Sequence, residues 1–141
     1  MIFKIPYKQY PSSWGGTDVM AVLNVQIARA EKNAPRSKRF EATIDSGAGR
    51  CIFHSDIGKA IGLDVEKGQP QETVGVTGKP SRLYVHDVSL YIPGGVIAIQ
   101  AGFTDSLPIA GLLGMTGFFD HFRVSFNPTA AHCELERIYQ A

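Results

Sequence analysis

Short apolar runs separated by turn residues recur along the chain. Val19 to Ile27 alternates at Leu23, Val25 and Ile27, the period of a strand with one buried face. Phe40 to Ile44 and Cys51 to Phe53 are two further runs. Glu72 to Val85 carries Gly75 and Gly78 at its middle and reads as a hairpin with a glycine-containing tip. From Val85 onward, Val85, Asp87, Ser89 and Tyr91 share one face, and His86, Val88, Leu90 and Ile92 the other. Pro93-Gly94-Gly95 makes a turn, and Val96 to Phe103 is another buried strand. Ile109 to Leu113, Phe122 to Phe126 and Cys133 to Ile138 complete the series, the last two separated by Asn127-Pro128. The helical signal is short: Ser55 is a plausible N-cap, Ile57, Ala60 and Ile61 share a face, and Gly62 ends the segment.

So many short strands predict an all-β, closed or nearly closed β-barrel. Residues 1–17, with Pro6, Pro11, Gly15 and Gly16, read as an irregular segment in which Tyr7, Tyr10 and Trp14 could pack on a neighbouring surface. Residues 18–141 read as a single domain. Ala30 to Lys38 reads as a solvated hairpin loop. Its Lys32, Arg36 and Lys38 stand beside Glu31, too few and too mixed for a nucleic-acid patch.

Composition narrows the classes. With 141 residues, 44% hydrophobic and 19% charged, the chain is a globular domain with a sizeable core. A net charge of +1 gives no field to recruit nucleic acid or an anionic membrane. No apolar run is long enough to span a bilayer, and Met1 to Pro6 lacks the apolar region of a signal peptide, so a soluble cytoplasmic protein is expected. Cys51 and Cys133 make no disulfide framework, and Cys51 reads as a small buried hydrophobe. His54, His86, His121 and His132 are scattered without metal-ligand spacing, so neither metal nor cofactor is expected.

The chemistry concentrates at Phe40 to Phe53, where an acid followed by Ser, Gly, Ala and Gly lies between two apolar runs. That is a carboxylate on a sharp turn between strands, and buried strands fix a reactive group better than a free loop does. Ile44-Asp45-Ser46-Gly47-Ala48 resembles the active-site motif of the retropepsin-like aspartic proteases. Gly75 to Lys79 and Ile109-Ala110-Gly111-Leu112-Leu113-Gly114-Met115-Thr116-Gly117-Phe118-Phe119 add matches in the family's order and approximate spacing. Together these cover about two-thirds of the chain, and the first forty residues match loosely.

The resemblance implies a retropepsin-like closed β-barrel with a flap hairpin, one or two short helices and a two-fold dimer. A short helix is expected after Gly114, with Phe118, Phe119 and Phe122 on the core side. Only Asp45 of the seven aspartates is followed by Ser or Thr and then Gly, so one chain supplies one catalytic acid. A homodimer must pair Asp45 from each chain, and strands from the chain ends are expected at its interface. The paired carboxyls share one proton. The ionised one activates a water, and the protonated one polarises the scissile carbonyl of a peptide or protein substrate. Ser46 and Gly47 would scaffold the dyad, and Ala48, Gly49, Val76, Thr77, Gly78 and Leu112 would contact the substrate. Leu83 and Ile109 would add apolar subsites.

Two departures stand out. Retroviral members usually carry an acid just after the Ala and an Arg just after the apolar-apolar-Gly motif, and these pair. Gly49 and Met115 stand there, so the dimer must be stabilised otherwise, with Arg50 a candidate. Pepsin-like members usually have a hydroxyl residue at the position of Ala48, where it hydrogen-bonds the ionised carboxylate. Its loss predicts an optimum less acid than pepsin's. Two other readings remain: a dimeric β-barrel binding module of this fold without cleavage, and a monomeric ligand-binding barrel.

Overall fold

The computed structural model describes residues 2–74 and 78–138. The described strands, in chain order, are β1 (Ile2–Pro6), β2 (Lys8–Pro11), β3 (Thr17–Met20), β4 (Val22–Arg29), β5 (Phe40–Ile44), β6 (Ile52–His54), β7 (Gln69–Val74), β8 (Pro80–Ile92), β9 (Gly95–Thr104), β10 (Gly111–Leu113), β11 (Phe122–Asn127) and β12 (His132–Arg137). One short helix, α1 (Ser55–Ala60), and a 3-10 turn at Val65–Lys67 follow β6. No helix among the described residues is long and apolar enough to cross a membrane.

Six strands close the barrel in the order β4-β5-β10-β6-β9-β8, with β8 pairing back onto β4 through Gln26↔Tyr91 to Arg29↔Val88. Strand β7 continues the sheet beyond β8 as the other arm of a hairpin, whose tip at 75–77 lies outside the described residues. Strict alternation drives the closure. Leu23, Val25 and Ile27 of β4 point inward and are buried, while Asn24 and Gln26 face out. Ile97, Ile99, Ala101 and Phe103 do the same on β9. Phe53, Phe103 and Phe118 are fully buried and anchor the core, with Phe118 stacked on Phe122 at 5.0 Å between centroids. The all-β closed barrel expected from the sequence is thus observed.

Four local expectations are corrected. The first 17 residues are not irregular. Strand β1 pairs with β12, placing Phe3 opposite Leu135 and Ile5 opposite Cys133, and β11 completes a three-stranded sheet. Strands β2 and β3 form a separate hairpin, turning through Gly15 (φ +89°) and Gly16 (φ +78°). Pro6 and Pro11 end their strands, where a missing N–H costs little. Val19 to Ile27 is not one strand: it divides at Ala21, whose carbonyl accepts the Ile44 amide at 2.9 Å. Helix α1 is capped one residue early, by His54 Nδ1 accepting the Asp56 amide at 3.0 Å, and Ser55 is its buried first residue. No helix follows Gly114, because Gly117 (φ +106°) turns the chain and its amide donates to Asp120 Oδ1 at 3.0 Å.

Candidate active site

Asp45 sits immediately beyond the end of β5. Strand β10 lies parallel to β5, with Leu112 beside Thr43 and Leu113 beside Ile44. Its last carbonyl, on Leu113, accepts the Asp45 amide at 3.0 Å. The preceding amide, Ile44, is held by Ala21. The acid therefore leaves a strand clamped from both sides, since β5 also pairs with β4 on its other edge.

The turn itself is closed by two bonds. The Ala48 amide donates to the Asp45 carbonyl at 3.1 Å, and the Gly47 amide donates to Asp45 Oδ1 at 2.8 Å. The second bond fixes one carboxylate oxygen, and among the described residues the other accepts no hydrogen bond. A Cβ on Gly47 would stand 3.1 Å from that same Oδ1, so glycine allows the backbone to approach the carboxylate this closely.

The outgoing segment is laced to the chain after β10. The Ala48 carbonyl accepts the Met115 amide at 2.8 Å, the Gly49 carbonyl accepts Thr116 at 3.0 Å, and the Cys51 amide donates back to Thr116 at 3.1 Å. Gly114 is what lets the two segments lie so close. A Cβ there would meet the Arg50 carbonyl oxygen at 2.3 Å and the Ala48 oxygen at 2.7 Å, both backbone atoms that cannot move aside. The family resemblance places the Ile109–Phe119 segment beside the acid turn, and the close backbone approach that requires a glycine at 114 is added by the fold.

Of the expected site residues, Asp45 and Ala48 are half-buried and Ser46, Gly47 and Gly49 are exposed on one turn. Leu112 is half-buried on β10, between β5 and β6. Gly78 is exposed with φ +76° where the β7–β8 hairpin returns, and Val76 and Thr77 lie outside the described residues. Ile109 and Met115, flanking β10, are exposed apolar side chains. Leu83 is not an open subsite: it is buried against Gly102.

Cys51, directly after the turn, is fully buried, and burial pushes its thiol up to about 11, so it stays protonated and unreactive at neutral pH. Burial raises the Cys133 thiol as well. The fold also brings together His54, Asp56 and Asp105, which the sequence left scattered. There His54 Nδ1 already accepts the capping amide of Asp56, and both carboxylates are exposed. Cavities of about 540 Å³ against the outer face of β4 and β8, about 520 Å³ beside Gly62 to Glu66, and about 250 Å³ between Ser55, Arg82 and Ser106 do not include Asp45.

No family model matches this chain, and no curated protein matches it in sequence. Among solved structures it is similar to a retropepsin-like aspartic protease from Rickettsia conorii, with a TM-score of 0.59 and 15% identity over 96% of this chain and 90% of that one. The fold is a retropepsin-like β-barrel.

Proposed function

We propose that the chain is an aspartic endopeptidase that works as a homodimer, with Asp45 of each copy forming the catalytic pair. The observation that carries this reading is the geometry of Asp45: a half-buried carboxylate on a strand-anchored turn, one oxygen held by Gly47 and the other accepting no hydrogen bond among the described residues, on a retropepsin-like barrel. A second copy fits this reading, because one chain carries one Asp-Ser-Gly acid.

In the dimer one carboxylate is ionised and takes a proton from a water held between the pair. The oxygen of that water attacks the scissile carbonyl carbon, whose oxygen accepts a hydrogen bond from the protonated carboxyl. That carboxyl passes its proton to the oxygen to give a gem-diol; as the C–N bond breaks, the leaving nitrogen takes the proton held by the first carboxyl, and one diol hydroxyl returns its proton to the second. The pair returns to its one-proton state, with no covalent intermediate. Ser46 hydroxyls brace the dyad, and Gly47, Gly49 and Gly78 offer backbone groups to an extended substrate. Val76, Thr77 and Leu112 complete the contacts, and the exposed Ile109 and Met115 favour apolar residues on either side of the cut. No metal or cofactor takes part in this scheme.

Incubation with a mixed peptide library, read by mass spectrometry, tests the reading. Cleavage present in the wild type and absent in Asp45→Asn supports it. A folded dimer that cleaves nothing across pH 3 to 8 would favour the binding-module reading instead.

A further inference from the structure

Asn24 and Gln26 face outward on β4, and Tyr91, paired with Gln26 across the seam, stands beside them on β8. The loop between β4 and β5 folds back over this outer wall. Ser37 fastens it there: its amide donates to the Ile27 carbonyl at 2.8 Å, its hydroxyl accepts the Ile27 amide at 3.0 Å, and its carbonyl accepts Gln26 Nε2 at 2.8 Å. The Pro93–Val96 turn makes an end wall, and a cavity of about 540 Å³ is left between them.

Two guanidinium groups line this cavity, Arg36 and Arg39, and no carboxylate does. Arg36 lies over the Tyr91 ring at 3.9 Å, which sets its plane, and among the described residues neither arginine has an acidic partner. Arginine forks match carboxylate and phosphate oxygens in pairs. Asn24 and Gln26 add polar contacts, while Ile92 and Val96 offer apolar surface for a stem. The volume suits a small molecule.

We propose that this cavity binds a small organic anion, a carboxylate- or phosphate-bearing molecule whose charged group is gripped by Arg36 and Arg39. Arg39 precedes β5 and Asp45 follows it, so the two sites lie roughly 20 Å apart at opposite ends of one strand. The proposal does not depend on proteolysis.

Isothermal titration of the full chain with citrate and with phenyl phosphate, at low ionic strength, tests it. We expect saturable binding of at least one of the two, and which one binds distinguishes carboxylate from phosphate. Binding should weaken about tenfold or more in Arg36→Ala and in Arg39→Ala and stay unchanged in Lys38→Ala, a cation of the same loop outside the cavity lining. Both arginines are exposed, so the variants should fold, and circular dichroism checks that they do. No saturable binding of either anion overturns the proposal. So does an equal loss in Lys38→Ala, which would mean diffuse surface charge. Binding of a Glu-rich hexapeptide alone would overturn the small-molecule assignment in favour of a polypeptide ligand.

Discussion

The amide of Asp45 donates to the carbonyl of Leu113 at 3.0 Å, tying the acid to a strand nearly seventy residues further along the chain. The carboxylate is therefore positioned by barrel closure and not by its own turn alone. Disturbing the β10 end should damage the site without touching any group that meets substrate.

Gly114→Ala isolates that relationship. The added methyl would drive against the Arg50 and Ala48 carbonyl oxygens. It should destabilise the fold by about 1–3 kcal/mol or more and displace the acid turn. Urea unfolding gives the first effect, and a drop in peptidase kcat out of proportion to the unfolded fraction gives the second. Unchanged stability would mean that the two segments separate easily.

Substitutions on the turn should sort by chemistry. Asp45→Asn should leave the midpoint of unfolding nearly unchanged and lower kcat by about a thousandfold or more, because an amide cannot accept the water proton. Ser46→Ala should cost far less in kcat and show more strongly in dimer dissociation, measured by sedimentation. If both variants behave alike, Ser46 and Asp45 do not have separate roles.

How much of this was legible in the sequence follows from the range of the interactions. Strands β4, β5, β8 and β9 announce themselves because alternation is local: Leu23, Val25 and Ile27, or Val88 and Leu90, reach the core by period alone. Asp45 is legible for the same reason, since acid, hydroxyl and glycine stand side by side. Strand β1 was hidden by Pro6, although Phe3 and Ile5 already alternate, because its partner β12 lies at the opposite end of the chain. The clamps from Leu113 and Ala21 are backbone bonds, which no residue type encodes. Arg36 was visible as a loop charge, but its place over Tyr91 depends on Ser37 folding back onto β4.

Stability should fall on the alkaline side through Cys51. Its folded thiol titrates near 11 against an ordinary value of 9.0. Below pH 9 folded and unfolded chains both hold the proton. Above it the unfolded chain releases the proton while the buried thiol keeps it, so folding loses up to about 2–3 kcal/mol as the pH approaches 11. Cys51→Ala removes that dependence. The stability gap between wild type and variant, from denaturant unfolding at stepped pH, should narrow by that amount across the window, and a constant gap would refute the assignment.

Ala48 bears on the activity profile. The dyad works with one proton on the pair, so the rate should fall in acid and in base, with a mildly acidic maximum. Ala48→Thr adds a hydroxyl donor that favours the ionised carboxylate, and the maximum should move toward acid. A shift toward base would contradict this part of the account.

The central claim is that one active site needs Asp45 from two chains. Mixing wild type with Asp45→Asn at constant total concentration, after dissociation and reassembly, tests it most directly. If both acids are required, an equal mixture retains about a quarter of the wild-type peptidase activity, because only dimers with two intact copies work. Activity falling in simple proportion, to about a half, would mean that each chain cleaves on its own and that the dyad does not exist.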